Sequence, residues 1–477
     1  MIKKVFKSPK SIYAILLLGI FTFLFLGAEY FYVNMISLTA GEEKTVIAQN
    51  YTLGISAIGF LLYPLFHRFL KKRLQTIGLF LLVLASVVCN FLVYQHSSYI
   101  VTLLSGMALF LILGLLGSAT HYLFFKLTPD DACLARMVGI SYAFGILLQF
   151  LNNNLVNFEA LETIVLSIFA FVLLALLLKV EGLCHKETEE LEEPSSLAKE
   201  DDGKANRKKI ASGVFLSLLV ILMACIFSTL DNAVTIHHAM GTDIGQWPRL
   251  LLAVSGLAAG FLFDIRKRKF MNMMMYCVML LSVVCVAVLK LGGPFLIGLI
   301  VFYLSAGFFA VFFTTSFLDF SRYMEMPELW AGMGRAMNNV SAALLTNGSV
   351  LLLVSGNSII AIVLALVLFV AVSIVMALYT SLAPSAEGEA VKNKDTPANF
   401  DPQETFRILS ELLSLTPRET DVFDKLVNTE ESIQEIADGL YLSRRTCQRY
   451  IASIYEKAGV KSRMGLYQFY IEKQRSI

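Results

Sequence analysis

Gly260-Phe-Leu-Phe-Asp-Ile-Arg-Lys-Arg-Lys269 joins two apolar runs and sets four consecutive cations behind a lone aspartate. An earlier stretch, Tyr63-Pro-Leu-Phe-His-Arg-Phe-Leu-Lys-Lys72, aligns with it at a constant offset. Working outward from this pair, apolar runs of about 20 residues, long enough to cross a bilayer as helices, recur along the chain. Twelve fall near residues 11–34, 49–66, 76–95, 100–125, 137–155, 160–180, 210–236, 246–263, 271–290, 294–318, 329–354 and 357–380. Each basic stretch then lies between the second and third spans of a six-span half. That is the weak internal symmetry of a duplicated membrane fold.

Composition supports this division. The chain has 477 residues, 56% hydrophobic and only 16% charged, against roughly 25% charged in soluble domains. The basic N-terminus leads into an apolar run too long for a signal peptide and without a small-residue cleavage site, so it reads as an uncleaved first span. Alternate loops hold Lys3, Lys4, Lys7, Lys10, Arg68, Lys71, Lys72, Arg73, Lys126, Arg136, Arg266, Lys267, Arg268, Lys269 and Arg322. The others hold only Lys44, Arg249 and Lys290. The positive-inside rule therefore predicts cytoplasmic N- and C-termini. Seven cysteines show neither a disulfide framework nor metal-ligand spacing.

The reading divides the chain into a first membrane half (1–180), a charged loop (181–209), a second half (210–380), a flexible linker (381–404) and a C-terminal domain (405–477). The charged loop, with Glu-Thr-Glu-Glu-Leu-Glu-Glu-Pro at its centre, is expected to be disordered. Twelve spans in a 6+6 arrangement, this loop, and Gly260, Leu262, Asp264, Arg268 and Lys269 resemble the major facilitator superfamily. The resemblance covers about residues 11–380 and implies that the motif tightens helix ends and helps gate a central cavity. In the first half only Leu65, Arg68, Lys71 and Lys72 match. His67 replaces the aspartate, and Tyr63 and Leu70 replace glycines.

The C-terminal domain carries four helix signals. Thr416-Pro-Arg-Glu419 and Ser432-Ile-Gln-Glu435 are capping boxes, the first with proline at the opening helical position. Ser443 can cap a third helix that Gly459 ends, and Ser462 a fourth. The short gap around Tyr441-Leu442 fits a helix-turn-helix. On the third helix, Cys447, Ile451, Ile454 and Ala458 share one face, while Arg445, Gln448, Arg449 and Ala452 share the other. Charge is sorted along the domain, acidic from Glu419 to Asp438 and basic from Arg444 to Arg463, as orientation on a polyanion requires.

Leu415-Thr-Pro-Arg-Glu-Thr, Glu435-Ile-Ala, Leu442-Ser-x-x-Thr446, Ile454-Tyr-x-Lys457 and Gly459-Val-Lys-Ser-Arg463 resemble the LuxR-type (NarL/GerE-like) DNA-binding domain over about 60 residues. The resemblance implies an all-α four-helix unit that binds double-stranded DNA, with Gln448, Arg449 and Ala452 reading bases. Arg444, Arg445, Thr446, Lys461 and Arg463 would clamp the backbone. Cys447, Gln448 and Tyr450 depart from the family's usual valine, lysine and histidine. The fourth helix, with Leu466, Tyr467, Phe469 and Tyr470, either forms a homodimer or completes the core.

Polar groups inside spans are costly and mark functional candidates. Glu29, His121, Asp231, Asn232, Arg335 and Asn338 are the candidate ligand-sensing residues, with Gln149, His237, His238 and Asn339 beside them. For Glu29 and Asp231, sensing and interhelical bonding weigh equally; for a single asparagine or histidine the bonding role is favoured. Two functions follow as expectations. One is a multi-pass, one-component transcription regulator of the bacterial cytoplasmic membrane, in contact with lipid and an unknown small-molecule ligand. The other is a small-molecule transporter with a regulatory DNA-binding tail. No phosphate-binding loop, zinc motif or nucleophile elbow is present in the sequence, so an enzyme, a cofactor and a metal site are not expected.

Overall fold

The computed structural model describes residues 9–128, 133–156, 158–190, 203–239, 247–354, 358–382, 409–410, 412–429, 431–460 and 462–474. It divides into two compact units, Met1–Pro384 and Ser385–Ile477. The described elements are all helical.

Among the described residues the first unit holds twelve principal helices: α1 (Pro9–Ser37), α2 (Glu42–Phe69), α3 (Lys72–Gln95), α4 (Tyr99–Leu127), α5 (Leu134–Leu155), α6 (Glu159–Glu190), α7 (Gly203–Ala239), α8 (Pro248–Phe263), α9 (Met271–Lys290), α10 (Phe295–Phe320), α11 (Met333–Val354) and α12 (Ser358–Leu382). A one-turn helix, Pro327–Trp330, lies between α10 and α11. Among the described residues ten helices are long and apolar enough to cross a membrane, and Pro248–Phe263 is a shorter apolar helix. A backbone in hydrocarbon must satisfy its own hydrogen bonds, which is why every apolar run closes into a helix.

The two halves meet along α5 against α8 and along α2 against α11. Glycine permits the α5–α8 approach: a Cβ on Gly139 would stand 2.7 Å from the Gly256 carbonyl oxygen and 2.9 Å from the Gly260 Cα. Small residues at crossings let helix backbones touch where no hydrophobic force separates lipid from protein. The outward face of α3 stays apolar and exposed at Leu74, Ile77, Phe80, Leu81 and Leu84, as a lipid-facing helix requires.

The expectation of disorder across 181–209 needs correction at both ends. Helix α6 continues to Glu190 and α7 begins at Gly203. Glutamate and lysine are good helix formers, so once the apolar span has nucleated a helix its polar flank extends it. Residues 191–202 and the expected linker beyond Leu382 lie outside the described residues.

The second unit contains α13 (Pro417–Asn428), α14 (Ile433–Gly439), α15 (Arg444–Ala458) and α16 (Arg463–Gln474). Val422, Phe423, Leu426, Ile436, Cys447, Ile454 and Leu466 form its core, joined by Leu409 and Tyr470. Helix α15 packs across α13 and α14, and α16 closes over α13.

Candidate nucleic-acid interface and membrane interior

In the C-terminal unit, local chemistry fixes each helix start. Thr416 accepts the amide of Glu419 at 3.4 Å, and the Glu419 carboxylate accepts the Thr416 amide at 2.8 Å. Ser432 and Glu435 repeat the arrangement, with the Ser432 amide donating at 2.7 Å. Ser443 caps α15 by accepting the Thr446 amide at 3.1 Å. Gly459 ends α15 in the left-handed region, at φ 67°, with its own amide and that of Val460 bonded to the last turn. The turn between α14 and α15 is held by the Leu442 amide, which donates to the Ala437 carbonyl at 2.8 Å. Tyr441, at φ 55°, is fully exposed there.

Helix α15 therefore presents two distinct faces. Cys447 and Ile454 are completely buried and Ile451 nearly so. Arg444, Arg445, Gln448, Arg449 and Ala452 are exposed, and Thr446 is half-buried. The Arg449 guanidinium lies 5.8 Å from the Tyr450 ring centre. Lys461 lies outside the described residues.

Two basic residues of this region are engaged internally. Lys457 donates to the Glu419 carboxylate at 2.7 Å and to the Ser414 carbonyl at 2.9 Å, while the Ser453 hydroxyl donates to the other Glu419 oxygen at 2.6 Å. Burial alone would raise the Glu419 carboxyl. The bonds from Lys457, Ser453 and Thr416 outweigh it and hold the group at about 2. Arg463 donates to the carbonyls of Leu426, Glu431, Lys425 and Thr429, so its guanidinium caps the C-terminal end of α13 from within the domain. Nothing in the linear sequence distinguishes these inward cations from the outward ones; the partners sit more than thirty residues away.

In the membrane unit, the stretch from Gly260 to Lys269 is a junction between the halves. Asp264, at the end of α8, accepts the amides of Ala135 and Arg136 at 3.1 and 2.9 Å, at the N-terminus of α5. A carboxylate there meets the positive end of the helix. Arg136 and Arg268 flank it at 3.3 and 3.6 Å, and Arg268 also reaches Asp319 at 3.0 Å. Arg266, Lys267 and Arg268 adopt consecutive left-handed conformations that wrap the loop back onto this cluster. The first half solves the junction differently. Arg68 pairs with the buried Glu328 carboxylate and donates to the Glu325 carbonyl at 3.2 Å. His67, in place of the aspartate, stacks on Tyr63 with ring centres 5.6 Å apart.

The candidate sensing residues separate into groups. Glu29 of α1 accepts from the Gln49 amide of α2 at 2.8 Å. His121 bonds the Gly117 carbonyl of its own helix at 2.7 Å and sits edge-on to Phe21 and Phe60. Asn338 donates to Asn339 at 3.2 Å, and Asn339 to Ser56 of α2 at 2.8 Å. Gln149 ties α5 to the Leu26 carbonyl of α1 at 2.9 Å. Arg335 lies between Phe25 and Phe313, 5.0 and 5.8 Å from the ring centres, with no carboxylate paired to it among the described residues. Arg335, His121, Thr22 and Tyr142 border an interior gap of only about 20 Å³. Helix α7 passes through Asp231, Asn232, His237 and His238, whose side chains lie outside the described residues. The described residues bring His121 and Arg335 to one gap that α1 also borders through Phe21 and Thr22, and Glu29 lies further along α1, bonded to α2.

Comparison with known proteins agrees with both geometries. Residues 413–470 match the family of bacterial regulatory proteins, luxR family (GerE). The chain carries a LuxR-type helix-turn-helix domain. Over 77% of its length it is also similar to a solved structure of the Escherichia coli fucose:proton symporter FucP, in a single-site variant, covering 98% of that chain at 14% identity with a TM-score of 0.50. At that identity the likeness is one of fold, and the first unit has a major-facilitator-like fold. No curated protein matches the chain.

Proposed function

We propose that this protein is a membrane-anchored transcription regulator that binds double-stranded DNA through α15 and receives its signal through the transporter-like bundle. The observation that carries the reading is the solvent-facing row of Gln448, Arg449 and Ala452 on a capped helix of a LuxR-type domain. Glutamine matches adenine and arginine matches guanine bidentately in the major groove. Arg444, Arg445 and Thr446, in the first turn, supply backbone contacts that position the helix without reading sequence. Arg463 holds α13 and the loop after it in place, and so acts on the DNA surface indirectly. Helix α16, with Met464 and Tyr467 exposed, offers a surface for a homodimer.

The input resides in the membrane unit, in the layer of Glu29, His121, Arg335 and Asn338. The gap beside Arg335 holds about one water molecule, so a small molecule enters only as the helices separate. Its binding energy then favours one arrangement of the halves over the other, which is the condition for a signal. DNA access sets the orientation, with both termini and the basic loops on the cytoplasmic side of a bacterial membrane. No enzymatic step is part of this reading.

Genome-wide DNA occupancy of the intact chain and of an Arg449→Ala variant tests the output. Discrete sites for the former, lost in the latter at equal abundance, are expected. Empty or identical profiles contradict the proposal. Substrate accumulation in vesicles would instead favour the transporter with a regulatory tail.

A further inference from the structure

A second cavity lies wholly within the first six-helix half. It measures about 240 Å³ and opens between α2, α3, α4 and α6. Its floor is apolar and buried, formed by Leu79, Leu123 and Leu177. Its rim is cationic, with Lys72 at the first residue of α3 and Lys126 in the last turn of α4. Glu181 supplies the single carboxylate of the lining, and neither lysine has a carboxylate within ion-pair distance among the described residues.

Contacts among the lining residues fix the cavity walls. His67 stacks on Tyr63 and meets Tyr122 edge-on, at 5.6 and 5.0 Å between ring centres. The Lys126 ammonium rests 4.8 Å above the Tyr122 ring. Gln75 spends its amide N–H groups on the carbonyls of His67 and Leu70, at 2.6 and 2.8 Å, and so locks the α2–α3 turn rather than facing a ligand. Two of the three substitutions that make the first basic stretch differ from the second, Tyr63 and His67, thus line the cavity, and the third, Leu70, does not. Where Asp264 grips a helix end, His67 forms part of an aromatic wall.

We propose that this cavity binds the phosphate-bearing headgroup of an anionic lipid, with the lipid's apolar part against its floor. Three observations select that chemistry. The lining is cationic at one end and apolar at the other, which suits an amphiphile rather than a soluble anion. Lys72 and Lys126 sit where two apolar spans end, the depth at which headgroup phosphates lie. Helix α3, which lines the cavity with its buried face at Gln75 and Leu79, exposes a continuous apolar face on its other side, so only this one helix separates the cavity from lipid.

The full-length chain in lipid nanodiscs tests it. Thermal unfolding would be followed in discs of phosphatidylcholine alone and in discs containing phosphatidylglycerol, for the natural chain, for a Lys72→Gln/Lys126→Gln variant and for an Arg266→Gln/Lys267→Gln control in the α8–α9 loop. Phosphatidylglycerol is expected to raise the midpoint of the natural chain and the control, as a ligand of the native state must. The Lys72/Lys126 variant should lose at least half of that rise while keeping its midpoint in phosphatidylcholine. Leu123→Trp, which fills the floor without touching charge, should lose the rise as well and guards against a purely electrostatic surface effect. Retention of the full rise by the lysine variant or by Leu123→Trp overturns the site. An equal rise from inorganic phosphate added to phosphatidylcholine discs overturns the lipid as its source.

Discussion

At the scale of single residues, Glu419 has the most exacting position in the C-terminal unit. It closes a capping box and receives Lys457 and Ser453 from α15, so one carboxylate ties α13 to α15. Replacing a cap costs about 1 kcal/mol, and the cross-helix bonds add to it; Glu419→Ala should destabilise this unit by roughly 2 kcal/mol in denaturant unfolding. Because the folded group lies at about 2 against an ordinary 4.5, its contribution is complete above about 4.5 and fades as pH falls toward about 2. Unfolding of Glu419→Gln should lose that part of the acid dependence, a difference visible in midpoints measured between those pH values. The capping role was legible in Thr416-Pro-Arg-Glu419, since a capping box is a local pattern. The bonds to Lys457 and Ser453 were not, because periodicity records which face a residue takes and not which partner it meets. The same limit applies to Arg463, which the LuxR-type resemblance implied as a backbone clamp and whose guanidinium here caps α13.

At the scale of elements, α15 depends on both its ends. Gly459 sits at φ 67°, where a side chain is strained. Gly459→Val should cost about 1 kcal/mol or more and weaken DNA binding by loosening the last turn, measurable as a lowered unfolding midpoint of the domain. In the membrane unit, α5 and α8 meet through Gly139 and Gly260 with no room for a Cβ on either. Gly139→Val should therefore force the helices apart at a cost of about 1–3 kcal/mol, read as a lower melting temperature in detergent. Among the described residues each of the twelve apolar runs predicted from sequence contains a helix, and ten of these helices are long and apolar enough to cross a membrane. The ends of α6 and α7 were misjudged because hydropathy marks the lipid-crossing part of a helix, while propensity carries the polar flank further.

At the scale of the whole molecule, a major-facilitator-like bundle and a LuxR-type unit share one chain. The two halves of the bundle are clasped by Asp264 on the α5 N-terminus and by Arg68 on Glu328. Removing one partner of such a buried charge cluster costs roughly 3–5 kcal/mol, so Asp264→Asn should increase hydrogen exchange at the start of α5 and the end of α8. If the bundle signals by a change in how its halves meet, the same substitution should also alter reporter output with Arg449 intact. Unchanged exchange would place the clasp elsewhere. The 6+6 arrangement and the C-terminal unit were readable because repeated loops, span lengths and capping boxes are written along the sequence. The pairing of Arg68 with Glu328 and the rings around Arg335 arise only when distant helices close.

The central claim is that the exposed face of α15 reads DNA for a chain held in the membrane. Chromatin occupancy of the full-length protein, compared with Arg449→Ala at matched membrane abundance, measures it most directly. Discrete sites sharing a sequence, lost or degenerate at the arginine-read position in the variant, are the predicted result; loss of one bidentate contact corresponds to about 1–3 kcal/mol. No enrichment by the intact protein, or an identical site set for the variant, would contradict the account.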